Sequence, residues 1–241
     1  GQCSNGCLHG AFQERFRDKV FTEEEVKEML PILENVCESS ERRTFAPLEQ
    51  ASCYHALGHL LMYMVNADID AALPLCEPIA HKDDVYRDYR TVCYDGVFMQ
   101  IFQPLEPEDF VLVKDIAPTT KEGAVALCDK YSGLPAASCY RELWPLWQKD
   151  LRERPGKAAE EICERVRPAG AEALRRCYMG LTYILVPQME MDVGRISAMC
   201  EAYPEERISQ CFANAASRVV EVDHKLAERA IALCEVSKEK G

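Results

Sequence analysis

Cys53-Tyr-His-Ala-Leu-Gly-His59 and Cys93-Tyr-Asp-Gly-Val-Phe-Met99 are one phrase written twice. Each opens on Cys-Tyr and continues with small and apolar residues at helical spacing. The phrase returns with variation as Cys7-Leu-His-Gly-Ala-Phe12, Cys139-Tyr-Arg-Glu-Leu-Trp144, Cys177-Tyr-Met-Gly-Leu-Thr-Tyr183 and Cys211-Phe-Ala-Asn-Ala-Ala216. The recurrence, about 35–45 residues, is that of solenoids built from helical hairpins.

A second ladder of cysteines interleaves with the first: Cys37, Cys76, Cys128, Cys163, Cys200 and Cys234. These sit near the ends of a different helical pattern, as in Ala-Val-Ala-Leu-Cys128 and Ile-Ser-Ala-Met-Cys200. The unit therefore reads as helix A, loop, helix B, with B helices starting near 7, 53, 93, 139, 177 and 211. A short antiparallel hairpin brings the end of A against the first turns of B, which is the geometry a disulfide requires. The expected pairs are Cys37–Cys53, Cys76–Cys93, Cys128–Cys139, Cys163–Cys177 and Cys200–Cys211. Cys3 is expected to close on Cys7, which leaves Cys234 as the odd thiol. Each hairpin bond closes a loop of roughly 10–17 residues, for about 2.5–3 kcal/mol in the chain-entropy account. The fold expected is all-α: disulfide-bridged helical-hairpin repeats forming a right-handed α/α solenoid (superhelix), one helical-repeat domain over 1–241.

Local signals agree. Thr22-Glu-Glu-Glu25 and Thr119-Thr-Lys-Glu122 read as capping boxes opening A helices. Prolines 104, 107, 118, 135, 155, 168, 187 and 204 are expected in connections, and Pro145 is expected to kink the third B helix. Residues 104–119 are the largest insertion. Gly10, Gly58, Gly96 and Gly180 recur a few residues after their cysteines, where glycine costs about 1 kcal/mol relative to alanine in a helix. Close helix–helix approach explains this better than room for a ligand.

The thirteen cysteines contain no Cys-x-x-Cys, so neither zinc-finger spacing nor a haem-attachment motif is present. Paired disulfides place the chain in an oxidising compartment, secreted or periplasmic. The bland rival is a reduced cytosolic repeat protein with buried thiols. No signal peptide is visible at Gly1, which reads as a mature or trimmed chain. Acidic residues outnumber basic ones 40 to 28, a net charge of −12, which disfavours nucleic acid and anionic membrane as partners. No apolar run reaches the roughly 18–20 residues of a membrane span. The longest, 57–65, is interrupted by His59.

Three of the five histidines fall at matched places in the first two B helices. His9 and His55 each follow their cysteine by two, and His59 follows His55 by one helical turn. Asp95 occupies the His55 position in the next B helix, with Met99 and Gln13 at the His59 position. Stacked helices about 8–10 Å apart can converge such residues on one point. His9, His55, His59 and Asp95, with Met99 and Gln13 close by, are the expected ligands of a transition-metal ion. Copper or zinc suits the donors best, with iron also compatible, and Met99, Met62 and Met64 tilt the set toward copper. Imidazole binds metal as the neutral base, so affinity is expected to fall below about pH 6. The competing reading makes the histidines hydrogen-bonding members of a polar layer. A function of a different class is a scaffold whose concave surface binds a protein or peptide.

Weaker features have bland readings. His81 and His224 read as solvated. Trp144, Trp147 and Tyr140 read as buried core. Met189-Glu-Met191 reads as a turn with packing methionines. The acidic runs 23–25 and 106–109 read as solvated helix starts. Neither Glu14 nor Glu49 is in phase to serve the cluster as a general base, and no nucleophile elbow or phosphate-binding loop occurs, so no reaction is read from the sequence.

Overall fold

The computed structural model describes residues 21–40, 44–80 and 88–240. These residues form thirteen α-helices and three 3-10 turns, with no β-strand among them. The chain divides into two compact units, 1–119 and 120–241. His9, Gln13, His81 and the Cys3–Cys7 pair lie outside the described residues.

The first unit contains α1 (Glu23–Val36), α2 (Pro47–Met64), α3 (Ile69–Ala80), α4 (Arg90–Phe102) and α5 (Pro107–Val113). The α1 capping box is complete: Glu25 N–H donates to Thr22 Oγ1 at 3.2 Å and Thr22 N–H donates to Glu25 Oε2 at 2.8 Å. Helix α2 packs along α4, and α3 touches α1, α2 and α4. The α2–α4 crossing is fixed by Gly58 and Gly96. A Cβ built on Gly96 would sit 2.1 Å from the carbonyl oxygen of His55, and one on Gly58 would sit 2.1 Å from that of Cys93. Only glycine permits this backbone approach.

The second unit contains α6 (Lys121–Cys128), α7 (Gly133–Glu142), α8 (Gln148–Glu153), α9 (Pro155–Cys163), α10 (Ala171–Gln188), α11 (Val193–Glu201), α12 (Glu205–Val222) and α13 (Ala227–Lys240). Helix α10 packs against α7 on one side and α12 on the other, and α12 packs on α13. The cap of α6 is Thr120, one residue later than the sequence suggests, with Gly123 N–H donating to its Oγ1 at 3.1 Å. Pro145 ends helix α7 instead of kinking it: the helix stops at Glu142 and a 3-10 turn spans Trp144–Trp147. Pro145 has no N–H for the carbonyl one turn back, and its ring crowds that carbonyl. Pro187 lies in the last turn of α10, not in a connection. Tyr140 and Trp147 are buried, Met189 packs inside, and His224 is exposed.

Five disulfides tie helix ends to the starts of following helices: Cys37–Cys53, Cys76–Cys93, Cys128–Cys139, Cys163–Cys177 and Cys200–Cys211, with Cα separations of 5.4–5.9 Å. All ten sulfurs belong to buried residues, while Cys234 is free and exposed. Beside four of the five bonds stands a second link. The tyrosine after the later cysteine donates its hydroxyl to the acid after the earlier one: Tyr54 to Glu38, Tyr94 to Glu77, Tyr140 to Asp129, and Tyr178 to Glu164 at 3.0 Å. Burial, and then these carboxylates, push the Tyr94, Tyr140 and Tyr178 hydroxyls well above their ordinary range, so they remain donors. At the fifth bond Phe212 replaces the tyrosine, and buried Tyr203 instead meets Thr182 Oγ1 at 3.1 Å.

The α2 and α10 helices end alike. Asn66 and Ala67 adopt left-handed φ values of 50° and 63°, and Glu190 and Met191 values of 57° and 54°. Each pair returns an N–H to the helix, Ala67 to Met62 O at 2.8 Å and Met191 to Val186 O at 3.2 Å. Asp68 and Asp192 then cap α3 and α11 by accepting from Ala71 N–H and Arg195 N–H. The local hydrogen bonds offset the strain of left-handed non-glycine residues.

Candidate metal site on the paired helices α2 and α4

His55 and His59 stand one turn apart on the face of α2 that meets α4. Their Nε2 atoms are 3.2 Å apart, and the rings meet edge to face with centroids 5.0 Å apart. Met99 of α4 brings its Sδ to 3.3 Å from His55 Nε2. His59 is buried and its Nδ1 lies 2.6 Å from Gln100 Oε1, while His55 and Met99 are half-buried. The Gly58–Gly96 crossing sets this cluster. With the helix backbones touching, side chains a turn beyond the crossing reach across.

The register differs from simple side-by-side equivalence. Met99 meets His55, the residue one turn earlier than its equivalent, and His59 finds Gln100. Helical side chains lean toward the N-terminus, so the long Met99 covers the turn before its own Cα. Asp95 is buried on α4. Among the described residues no three His, Cys, Asp or Glu side chains group closely enough to hold a metal ion. The third donor in the cluster is the thioether of Met99, which is brought to His55. Spacing matters here: an ion with bonds of about 2.0–2.1 Å to nitrogen in tetrahedral geometry holds its donors roughly 3.3 Å apart.

Three residues outside the sequence-based site stand behind it. Gln100 is buried in the apolar run Val97-Phe-Met-Gln-Ile-Phe102, and that lone buried amide was the available signal. Asp109 is buried too, so the acidic run 106–109 opens α5 but is not wholly solvated. Its Oδ1 accepts from the Tyr63 hydroxyl, and its Oδ2 accepts from Leu105 N–H at 3.1 Å and Glu106 N–H at 3.0 Å. Burial alone would push the Asp109 carboxyl up. The Tyr63 and backbone donors, helped by Gln100, outweigh it and hold the group below its ordinary value. Gln100 contributes although its Nε2 completes no hydrogen bond.

A pH dependence follows. A carboxyl whose folded pKa is depressed stabilises the fold above its unfolded pKa, about 3.9, and that stabilisation is lost as pH falls through the lower folded value. Urea unfolding at pH 7 and pH 3 should therefore show acid destabilisation that shrinks in Asp109→Asn. Equal acid sensitivity in both proteins would show that Asp109 carries none of it.

No family model, no curated protein and no solved structure matches the chain.

Proposed function

We propose that the chain is a secreted or periplasmic protein that binds a transition-metal ion, copper or zinc ahead of iron, for metal handling or a metal-assisted reaction. The observation that carries this reading is the meeting at His55 Nε2 of His59 Nε2, 3.2 Å away, and Met99 Sδ, 3.3 Å away. His9, Asp95 and Gln13 are proposed as further ligands or neighbours. The five disulfides support an oxidising compartment. Among the described residues no helix is long and apolar enough to cross a membrane. In this reading the disulfide-tied helices continue as a right-handed solenoid of hairpins, supported by the α7–α10–α12 succession inside the second unit.

Elemental analysis of protein purified without a histidine tag tests the metal. The expected result is about one copper or zinc per chain, abolished by the double change His55→Ala, His59→Ala. Metal content that this change does not alter would overturn the reading.

One observation favours a second reading, a scaffold for a protein or peptide. A groove of about 630 Å³ between α12 and α13 is lined by Ala216, Val220, Ala230 and Ile231 beside the free Cys234, with Val220 and Ile231 exposed. Exposed apolar surface of this kind is a common mark of a binding face.

A further inference from the structure

We propose that the His55–His59–Met99 cluster takes cuprous copper, and that Gln100, backed by Asp109, is the positioning residue that presents His59 Nε2 to it. This rests on the metal reading above and adds the oxidation state and the device that prepares the ligand.

The oxidation state follows from the donors. A thioether is a soft ligand that hard ions do not use, and paired with imidazoles it favours the cuprous ion over zinc(II). Two imidazoles and one thioether are neutral donors, so a singly charged ion leaves less net charge in a half-buried notch than a divalent one. Among the described residues no three His, Cys, Asp or Glu side chains group there, and Asp109 is committed to Tyr63 and two backbone N–H groups.

The positioning role follows from the chain of contacts behind His59. A neutral imidazole carries one proton, and the partner of one nitrogen decides which nitrogen holds it. Gln100 turns an oxygen to His59 Nδ1 at 2.6 Å. An amide oxygen only accepts, so Nδ1 must carry the proton and Nε2 keeps its lone pair. What stops the amide from turning over is Asp109. Reversed, the amide would aim its oxygen at a carboxylate that is held as an acceptor, and its NH2 group at His59. With Asp109 fixed by three donors, the NH2 group belongs on the carboxylate side. The Gln100–His59 contact thus leaves Nε2 toward His55, with Asp109 acting on the amide by its charge and not through a completed hydrogen bond. It is the outer-shell arrangement that fixes metal-binding histidines, with an amide oxygen as the partner.

Two measurements on the full chain test this. In metal-free protein, nitrogen-15 NMR of the histidine side chains reads the tautomer directly. His59 is expected as the Nδ1–H form, shifting toward the Nε2–H form in Gln100→Leu and partly so in Asp109→Asn. Competition with a chromogenic cuprous chelator reads affinity. One cuprous ion per chain is expected, bound more tightly than zinc(II), with losses of roughly 10–100-fold in Gln100→Leu, the usual scale for an outer-shell partner, and a comparable loss in the near-isosteric Met99→Leu. Tighter binding of zinc(II), or no effect of Met99→Leu, would overturn the cuprous assignment and leave the metal reading standing. An Nε2–H tautomer in the unaltered protein, or one unmoved by Gln100→Leu, would overturn the positioning role. Failure to bind either ion would overturn the cuprous assignment together with the reading beneath it.

Discussion

Replacing Gly96 with alanine is expected to destabilise the first unit by roughly 3 kcal/mol, at the upper end of what overpacking produces. The added methyl would lie 2.1 Å from the carbonyl oxygen of His55 and 3.1 Å from the Cα of Gly58. Both are backbone atoms of a helix, so the helix must move as a body. That motion also pulls Met99 away from His55 and Gln100 away from His59, and metal affinity should fall with stability. The matched control is Gly180→Ala. There the methyl meets only side-chain atoms, the Cδ and Cγ of Arg141, which must shift while its Nε stays paired with the buried Glu142. Its expected cost is under about 1 kcal/mol, near the helix-propensity gain of alanine over glycine. Urea unfolding of both variants decides the matter. Equal effects would mean that the Gly58–Gly96 crossing is not a backbone contact and does not set the site.

Removing Cys76–Cys93 through the double change Cys76→Ala, Cys93→Ala is expected to be similarly severe, about 3 kcal/mol for the loop it closes. The sequence separation is 17 residues, the widest of the five, and both cysteines are fully buried. The bond holds the end of α3 to the first turns of α4, the helix that supplies Met99 and Gln100. The Tyr94–Glu77 hydrogen bond remains beside it, but an exposed carboxylate returns only about 1 kcal/mol of that constraint. Cys234→Ser is the control and should leave the unfolding midpoint unchanged, since that thiol is exposed and unbonded. A double variant as stable as the control would mean that the disulfide constrains nothing the packing does not already fix.

The helical class and the disulfides were legible because two cysteine ladders repeat beside helical apolar spacing, and nothing else in the chain competes with that pattern. The phenol–carboxylate links were equally present in the sequence as Cys-Glu or Cys-Asp answered by Cys-Tyr, yet they become visible only when the hairpin sets Glu38, Glu77, Asp129 and Glu164 against their tyrosines. His55 and His59 could be picked out by their one-turn spacing. Their partners could not be assigned in the same way. Repeat equivalence places Met99 beside His59, whereas side-chain lean and the glycine crossing carry it to His55. Gln100 and Asp109 were opaque for a different reason. A buried amide and a buried acid look like ordinary polar residues until the burial of each, and the donors around Asp109, are known.

The measurement closest to the central claim is X-ray absorption at the copper edge of the protein loaded with one cuprous equivalent. Two imidazole nitrogens and one sulfur are the expected neighbours, with the sulfur lost in Met99→Leu and the imidazoles depleted in His55→Ala. A copper environment that neither substitution changes would contradict a metal site on α2 and α4.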